Sequence, residues 1–538
     1  MPSYMLVASI LAVLSQVALA QVPSPLWKTP INITDFGVVK GRAALNSSKD
    51  GHVPNWQNIS FFGAVPYGAD TSGDNRWAEP GRATAWNDTL HTTDFGPLCP
   101  SGANSADMVA AYGESEDCLT LNIWTPATSA DDNLPVLVWT HDDGTAPGDA
   151  LYDGAGMASK GIIFVSYNFR SGALGFFADK ALNETWAETL SPTGAPTGNW
   201  GMLDQWHAVK WVYANIALFG GNPNHISIAG NGAGAAAVYH MVNSEQLSDF
   251  NISIVNAISH SGLRHPSDPL LQKEASAGAY YNLTYAEILA TNSLRSLNAS
   301  STAEARALSY QDILDTTASI DFKPVLDYFL IPELYSETLL NGSAYKVPFM
   351  TGHNADELPS ATADSTYQTW VEKEYGSEFS EEFLALYPVN ETSALTRDHA
   401  RISSWLFMNA FSKSSDQETY TYYWDYPNGA ATKNSEVSYA LGNLWAQTGA
   451  NYTQASYYVS DVLNSYWVNF ITSGDPNNST QTSGATLNET SLPATWEPNS
   501  ATAQQTFQIG TGWNEVPIAG TPEKLALMEK YFAAQTSA

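Results

Sequence analysis

Residues His225 to Gly234 read HISIAGNGAG: a short apolar strand, a glycine-flanked turn, then alanines opening a helix. This is the pattern of a nucleophile elbow, whose Gly-x-Ser-x-Gly turn lifts a serine hydroxyl to the top of a sheet for attack on an acyl carbon. Here the turn is Gly230-Asn231-Gly232-Ala233-Gly234, so a glycine stands where the serine belongs. Gly232 has no side chain with which to attack, and no other Gly-x-Ser-x-Gly occurs in the chain. The chemistry this motif normally supports has lost its nucleophile.

The elements needed to hold such a turn are legible around it. Apolar runs bounded by Gly, Pro or Asn predict strands over 134–140, 162–167, 225–229, 254–259, 347–351 and 420–425. Runs this apolar suit a sheet covered on both faces. Leu203–Leu218 carries aromatic and aliphatic residues at helical spacing. Strands alternating with helices imply an α/β fold, with ligands at the carboxyl ends of the strands. A chain of 538 residues is long enough for three or four domains. No repeat, charge run or linker divides it, so one large domain over 21–538 is expected.

Residues 1–20, MPSYMLVASILAVLSQVALA, end an apolar run in Ala18-Leu19-Ala20, which predicts a signal peptide cleaved after Ala20. No other segment is apolar enough to span a bilayer, so no membrane anchor is expected. Fourteen Asn-x-Ser/Thr sites agree with secretion or residence in a secretory lumen: Asn32, Asn46, Asn58, Asn87, Asn183, Asn251, Asn282, Asn298, Asn341, Asn390, Asn451, Asn477, Asn478 and Asn488. The only cysteines, Cys99 and Cys118, read as a single disulfide in an oxidising compartment. A formal charge of −31 disfavours nucleic acid and anionic lipid as partners. There is no phosphate loop, dinucleotide fingerprint or metal-ligand cluster, so neither cofactor nor metal is expected.

Several motifs in fixed order identify the elbow's relatives. Ser115-Glu116-Asp117-Cys118-Leu119, LPVLVWTH over 134–141 and NFRSGALGF over 168–176 precede it, as does the stretch 198–221. Gly352-His353-Asn354-Ala355-Asp356-Glu357 and Gly474-Asp475-Pro476-Asn477 follow. Together these resemble the type-B carboxylesterase/lipase family, the cholinesterase-like branch of the α/β-hydrolases, over nearly the whole chain after residue 20. The resemblance implies an α/β-hydrolase fold, with a large, mixed, mostly parallel sheet flanked by helices. It also places Cys99 and Cys118 at the family's first disulfide, bordering the active-site entrance.

The same resemblance assigns roles position by position. Glu357 retains the acid of a Ser–His–Glu triad, and Lys433 falls where the histidine should be. The oxyanion loop, normally glycine-rich, reads His141-Asp142-Asp143-Gly144-Thr145, and Asn231 replaces a glutamate. Gly144 and Ala233 remain as the donor remnant. Two carboxylates in that loop would repel a developing oxyanion. A degenerate catalytic set of Lys433, Glu357, Asp143 and Asp142 is therefore expected, with His141, Asn231 and Gly232 lining a ligand pocket. Lys433 reads either as a salt-bridge partner for Glu357 or as an acid facing Asp142 or Asp143 as base. Rescue by Ser259, His260 or Ser261 is the weaker alternative.

Three function classes stay open. The first is a non-hydrolytic cyclase, isomerase, lyase or cycloaddition/dimerisation catalyst of secondary-metabolite biosynthesis, acting on a small apolar, polyketide- or terpenoid-like metabolite. The second is a binding or adhesion protein, and the third a weak ester hydrolase. Trp77, Trp86, Trp139 and Trp405 read as core more readily than as gorge lining. Oligomeric state is not encoded in any motif.

Overall fold

The structure is a computed structural model, and it describes residues 24–182, 198–244, 252–261, 263–273, 278–357, 364–426, 431–448, 451–478 and 492–535. The expected signal segment, the sequons at Asn183, Asn251 and Asn488, and Leu358 lie outside the described residues. Eleven strands form the central sheet: β1 Arg42–Ala43, β2 Ser60–Pro66, β3 Thr120–Thr125, β4 Leu134–Thr140, β5 Ile163–Tyr167, β6 Gly221–Asn231, β7 Ile254–His260, β8 Phe349–Asn354, β9 Thr419–Trp424, β10 Gln505–Ile509 and β11 Trp513–Pro517. Their spatial order is β11-β10-β9-β8-β7-β6-β4-β5-β3-β2-β1. From β10 to β5 every pairing is parallel, and the antiparallel pairings lie at the two edges.

The expected strands are all present, some longer than the apolar run alone implied. β6 begins at Gly221 because Gly221-Asn222-Pro223-Asn224 continues the pairing to Leu134 before the apolar residues start. β5, β8 and β9 are buried at every position, as strands between two helical layers must be. The covering helices include α1 Trp200–Asn215, α2 Ala233–Val242, α3 Tyr310–Thr317, α4 Thr392–Ser415, α5 Gln454–Ser473 and α6 Pro522–Ala533. α1 ends at Asn215, and a 3-10 turn over Ile216–Phe219 completes the helical stretch.

Register decides where the site lies. Gly230 pairs with Thr140 on β4 and Ser259 on β7; Asn231 pairs with His260, and His260 with Gly352 on β8. The loops leaving β4, β6, β7 and β8 therefore emerge side by side along one sheet edge. Two glycines let the elbow pack this tightly. A Cβ on Gly234 would sit 1.9 Å from the Thr140 carbonyl oxygen, and one on Gly230 2.4 Å from the Gly234 carbonyl oxygen.

Cys99 and Cys118 form a disulfide that closes a segment of sequence separation 19. Trp77, Trp139 and Trp405 are core residues, and Trp86 packs half-buried against the core. Among the described residues no helix is long and apolar enough to cross a membrane. Every described sequon asparagine is exposed except Asn477. Asn477 Nδ2 donates to Trp496 O (2.9 Å) and Asp475 Oδ1 (2.9 Å), and its Oδ1 accepts from Trp496 N (2.7 Å). On expression through a secretory pathway, peptide mapping is expected to find Asn477 unmodified while Asn32, Asn58 and Asn341 carry glycan. Full occupancy at Asn477 would contradict this assignment.

Candidate functional site

The turn after β6 is held open by backbone conformation and filled by a neighbour. Gly232 has φ +55°, a region a side chain enters only under strain. A Cβ there would lie 2.1 Å from Asp142 Cγ. The Asp142 carboxylate thus occupies the space in which a nucleophile's side chain would stand. Its Oδ1 accepts from Ala233 N (2.7 Å) and Asp143 N (3.0 Å); its Oδ2 accepts from Asn434 Nδ2 (2.9 Å) and lies 3.3 Å from Lys433 Nζ. The backbone N–H of Ala233, expected as an oxyanion-hole remnant, is consumed by this internal anion. Tyr152 Oη and Thr145 Oγ1 brace the backbone of Asp142 from the other side, at 3.4 and 2.5 Å.

Of the partners expected for Lys433, the structure gives Asp142 and not Glu357. Lys433, a third exposed, pairs with Asp142. Glu357 is buried beside Arg264, whose Nη2 lies 3.9 Å from Glu357 Oε1, and accepts from Asn354 N at 3.0 Å. Burial raises the Glu357 carboxyl above its usual range, with Arg264 acting against that. A lysine stem is longer and straighter than an imidazole ring. It carries its charge to Asp142, which fills the space above Gly232.

The histidine of the alternative rescue set is structural. His260 is fully buried; Trp467 Nε1 donates to its Nε2 (3.1 Å), and its Nδ1 lies 3.1 Å from Glu436 Oε1. The tryptophan N–H needs a lone pair on Nε2, so the ring is assigned as the neutral Nδ1–H tautomer donating to a carboxylate. Tyr422 Oη (2.9 Å) and Asn354 Nδ2 (2.7 Å) complete the Glu436 shell. Burial would raise the Glu436 carboxyl, but its bonds to His260 and Asn354 outweigh that and hold it below its usual range. With both ring nitrogens engaged, His260 has none left to serve as a base.

Beside the elbow lies a cavity of about 280 Å³, at the small end of ligand pockets. Its walls include Phe169, Phe176, Ala236, Leu314 and Phe322. Asp143 stands at its mouth, exposed to water. Burial, then the Asp142 charge, push the Asp143 carboxyl up to about 6, against the pull of Lys433. Asp142 and Asp143, adjacent in sequence, thus have opposite fates: one is saturated by four donors, the other is free to exchange a proton.

Three expected pocket residues do not line this cavity. Asn231 is fully buried behind the turn with its Nδ2 on Tyr152 Oη (3.1 Å), and Gly232 is covered by Asp142. His141 lines a neighbouring recess of about 20 Å³ together with Gly144, and burial lowers its pKa. Of the expected site residues, Asp143 and Ala233 border the larger space. The segment closed by the disulfide contributes Ser101, Gly102 and Ala103 to the same wall.

Sequence reading missed Arg264, Asn434, Asp321, Gln205 and His240 around these groups. His240 carried a signal: it stands at helical spacing from Ala233, Ala236 and Ala237, a polar residue on an otherwise small, apolar face. Asp321 carried none, because it is brought in from a segment distant in the chain. No group of metal-binding side chains occurs among the described residues.

A strand–turn–helix elbow at the carboxyl edge of a mixed, mostly parallel sheet flanked by helices defines an α/β-hydrolase fold. The carboxylesterase family model matches residues 28–387 and 360–528, and the chain belongs to that family. A fumonisin B1 esterase from Sphingopyxis macrogoltabida is 29% identical over 453 residues, spanning 79% of this chain and 81% of that protein. The para-nitrobenzyl esterase of Bacillus subtilis is 26% identical over 479 residues, 82% and 90% of the two chains. Among solved structures, a PNB esterase superposes with a TM-score of 0.72 at 22% identity, covering 93% of this chain and 99% of that one. A Geobacillus stearothermophilus carboxylesterase gives the same score, with 93% and 100% covered. Those structural likenesses speak to the fold.

Proposed function

We propose that this carboxylesterase-family chain is a non-hydrolytic enzyme that uses Asp143 as the acid–base group of a proton-transfer reaction. The reaction class is isomerisation, cyclisation, elimination or cycloaddition/dimerisation of a small, largely apolar metabolite. The observation that carries the reading is the Asp142 carboxylate seated above Gly232 and bonded to Ala233 N. An anion already held in the hole opposes a second one developing there, so acyl transfer is disfavoured at the position that would stabilise it. The open cavity with a proton-exchanging carboxyl at its edge favours catalysis over a purely adhesive role. Exposed sequons and the disulfide are consistent with work in a secretory lumen or outside the cell.

A base must be ionised, and Asp143 is raised, so its ionised fraction falls as pH drops through about 6. Turnover is expected to rise about tenfold per pH unit below that point and to level above it. Mass spectrometry of a source-organism metabolite extract incubated with wild type and Asp143→Asn is the test. The reading expects a compound converted by wild type alone, with mass unchanged, doubled or lowered by water. Products that have gained water would establish hydrolysis instead. If no compound is converted, a binding or adhesion role displaces this one.

A further inference from the structure

Asp143 is the carboxylate lining the cavity that has no basic partner within 4 Å among the described residues. Asp321, also in the lining, pairs with Lys323 (3.0 Å), and Asp142 pairs with Lys433 (3.3 Å). Along α2, Ala233, Ala236, Ala237 and His240 all border the cavity. Ala233 adjoins the Asp142–Asp143 turn through its N–H. His240 is seven residues further on, about 10 Å along the helix axis.

His240 is 2% exposed and its Nε2 has no hydrogen-bond partner; Gln205 of α1, 4% exposed and also in the lining, has an unpartnered Oε1. Burial holds the imidazole neutral, with a pKa down to about 3. Tyr335 Oη meets Nδ1. With the phenol donating there, Nε2 carries the proton. The wall thus holds one buried donor and one buried acceptor without partners, and native interiors rarely leave such groups unsatisfied. The same lining includes Phe169, Phe176 and Leu314.

We propose that this cavity binds a small organic amine: a protonated nitrogen paired with Asp143, an apolar body against the aromatic wall, and a neutral hydroxyl meeting His240 and Gln205. A hydroxyl fits that last position because it accepts from His240 Nε2–H and donates to Gln205 Oε1 at once. The proposal rests on the reading of Asp143 as the group that meets the ligand, and it adds the ligand's charge and polarity.

Calorimetry with tyramine, 4-ethylphenol and phenethylamine as probes tests both ends without requiring turnover. Tyramine is expected to bind wild type about tenfold more tightly than uncharged 4-ethylphenol, a preference that Asp143→Asn abolishes. Phenethylamine, lacking the hydroxyl, is expected to bind about tenfold more weakly than tyramine. Asp143 lies at the cavity mouth, so its replacement by asparagine leaves the fold intact; matched thermal unfolding of the two proteins checks this. No measurable binding of tyramine, equal binding of 4-ethylphenol, or a tyramine preference that survives Asp143→Asn each overturns the proposal. Amine binding as expected, with metabolite conversion undiminished in Asp143→Asn, would instead refute the acid–base role and leave the binding site standing.

Discussion

Gly232→Ser alone is expected to yield no esterase, whereas Gly232→Ser combined with Asp142→Gly, Asp143→Gly and Lys433→His is expected to hydrolyse p-nitrophenyl acetate about a thousandfold faster than wild type. The single change fails on geometry. A Cβ at residue 232 lies 2.1 Å from Asp142 Cγ, so the serine must displace a carboxylate held by Ala233 N, Asp143 N, Asn434 and Lys433. Even once displaced, that anion would remain beside the position where the oxyanion forms. The combined variant frees the Ala233 N–H, restores glycines to the loop and supplies an imidazole on the segment that carries Lys433. A complete triad and its hole act as a unit, so partial repair gives far less than a proportional share. The factor of about a thousand is a modest part of what intact triads supply, because Arg264 still competes for Glu357. The measurement is initial rate against ester concentration for wild type, single and combined variants. Equal rates for the single and combined variants would show that Asp142 does not block the turn.

The second large effect concerns stability. Replacing Glu436 by alanine is expected to lower unfolding free energy by about 3 kcal/mol, because it removes the charged acceptor that three donors of a buried network share. His260 Nδ1, Tyr422 Oη and Asn354 Nδ2 would each lose an acceptor in a region closed to water. The network also anchors the elbow, since Gly232 N donates to the His260 carbonyl at 3.2 Å. Urea denaturation would register the loss as a lower midpoint with an unchanged slope. The pH dependence has a definite sign. Glu436 has a depressed folded pKa, so its contribution is present above the usual glutamate range and disappears as pH falls through the lowered value. A Glu436→Ala variant as stable as wild type at neutral pH would mean that the pair is replaceable.

Much of this architecture was legible in residue order. Parallel strands buried on both faces read as largely apolar runs, and β4 and β5 do. The elbow was equally plain, because a strand, a tight glycine turn and a small-residue helix leave a local signature that depends on no distant partner. Limits appeared wherever a pairing joined distant segments. Lys433 and Glu357 read as natural neighbours from their places in two motifs, yet each has another partner. Arg264 carried no mark of its role, because its sequence neighbours belong to no motif and only the course of the chain after β7 brings it to Glu357.

The residues by themselves determined that Gly232 cannot attack, that the fold is an α/β-hydrolase and that two carboxylates stand side by side in the loop after β4. Such statements depend on composition at a position and on short-range pattern, which the chain carries wherever it goes. Tertiary structure decided how those two carboxylates divide their roles. Asp142 turns inward, where backbone N–H groups and Lys433 satisfy it, while Asp143 faces an apolar cavity that raises its proton affinity. Which of two adjacent, identical side chains is held by internal donors and which faces the cavity depends on the donors and the solvent each one meets, and two of Asp142's donors, Lys433 and Asn434, come from nearly three hundred residues away.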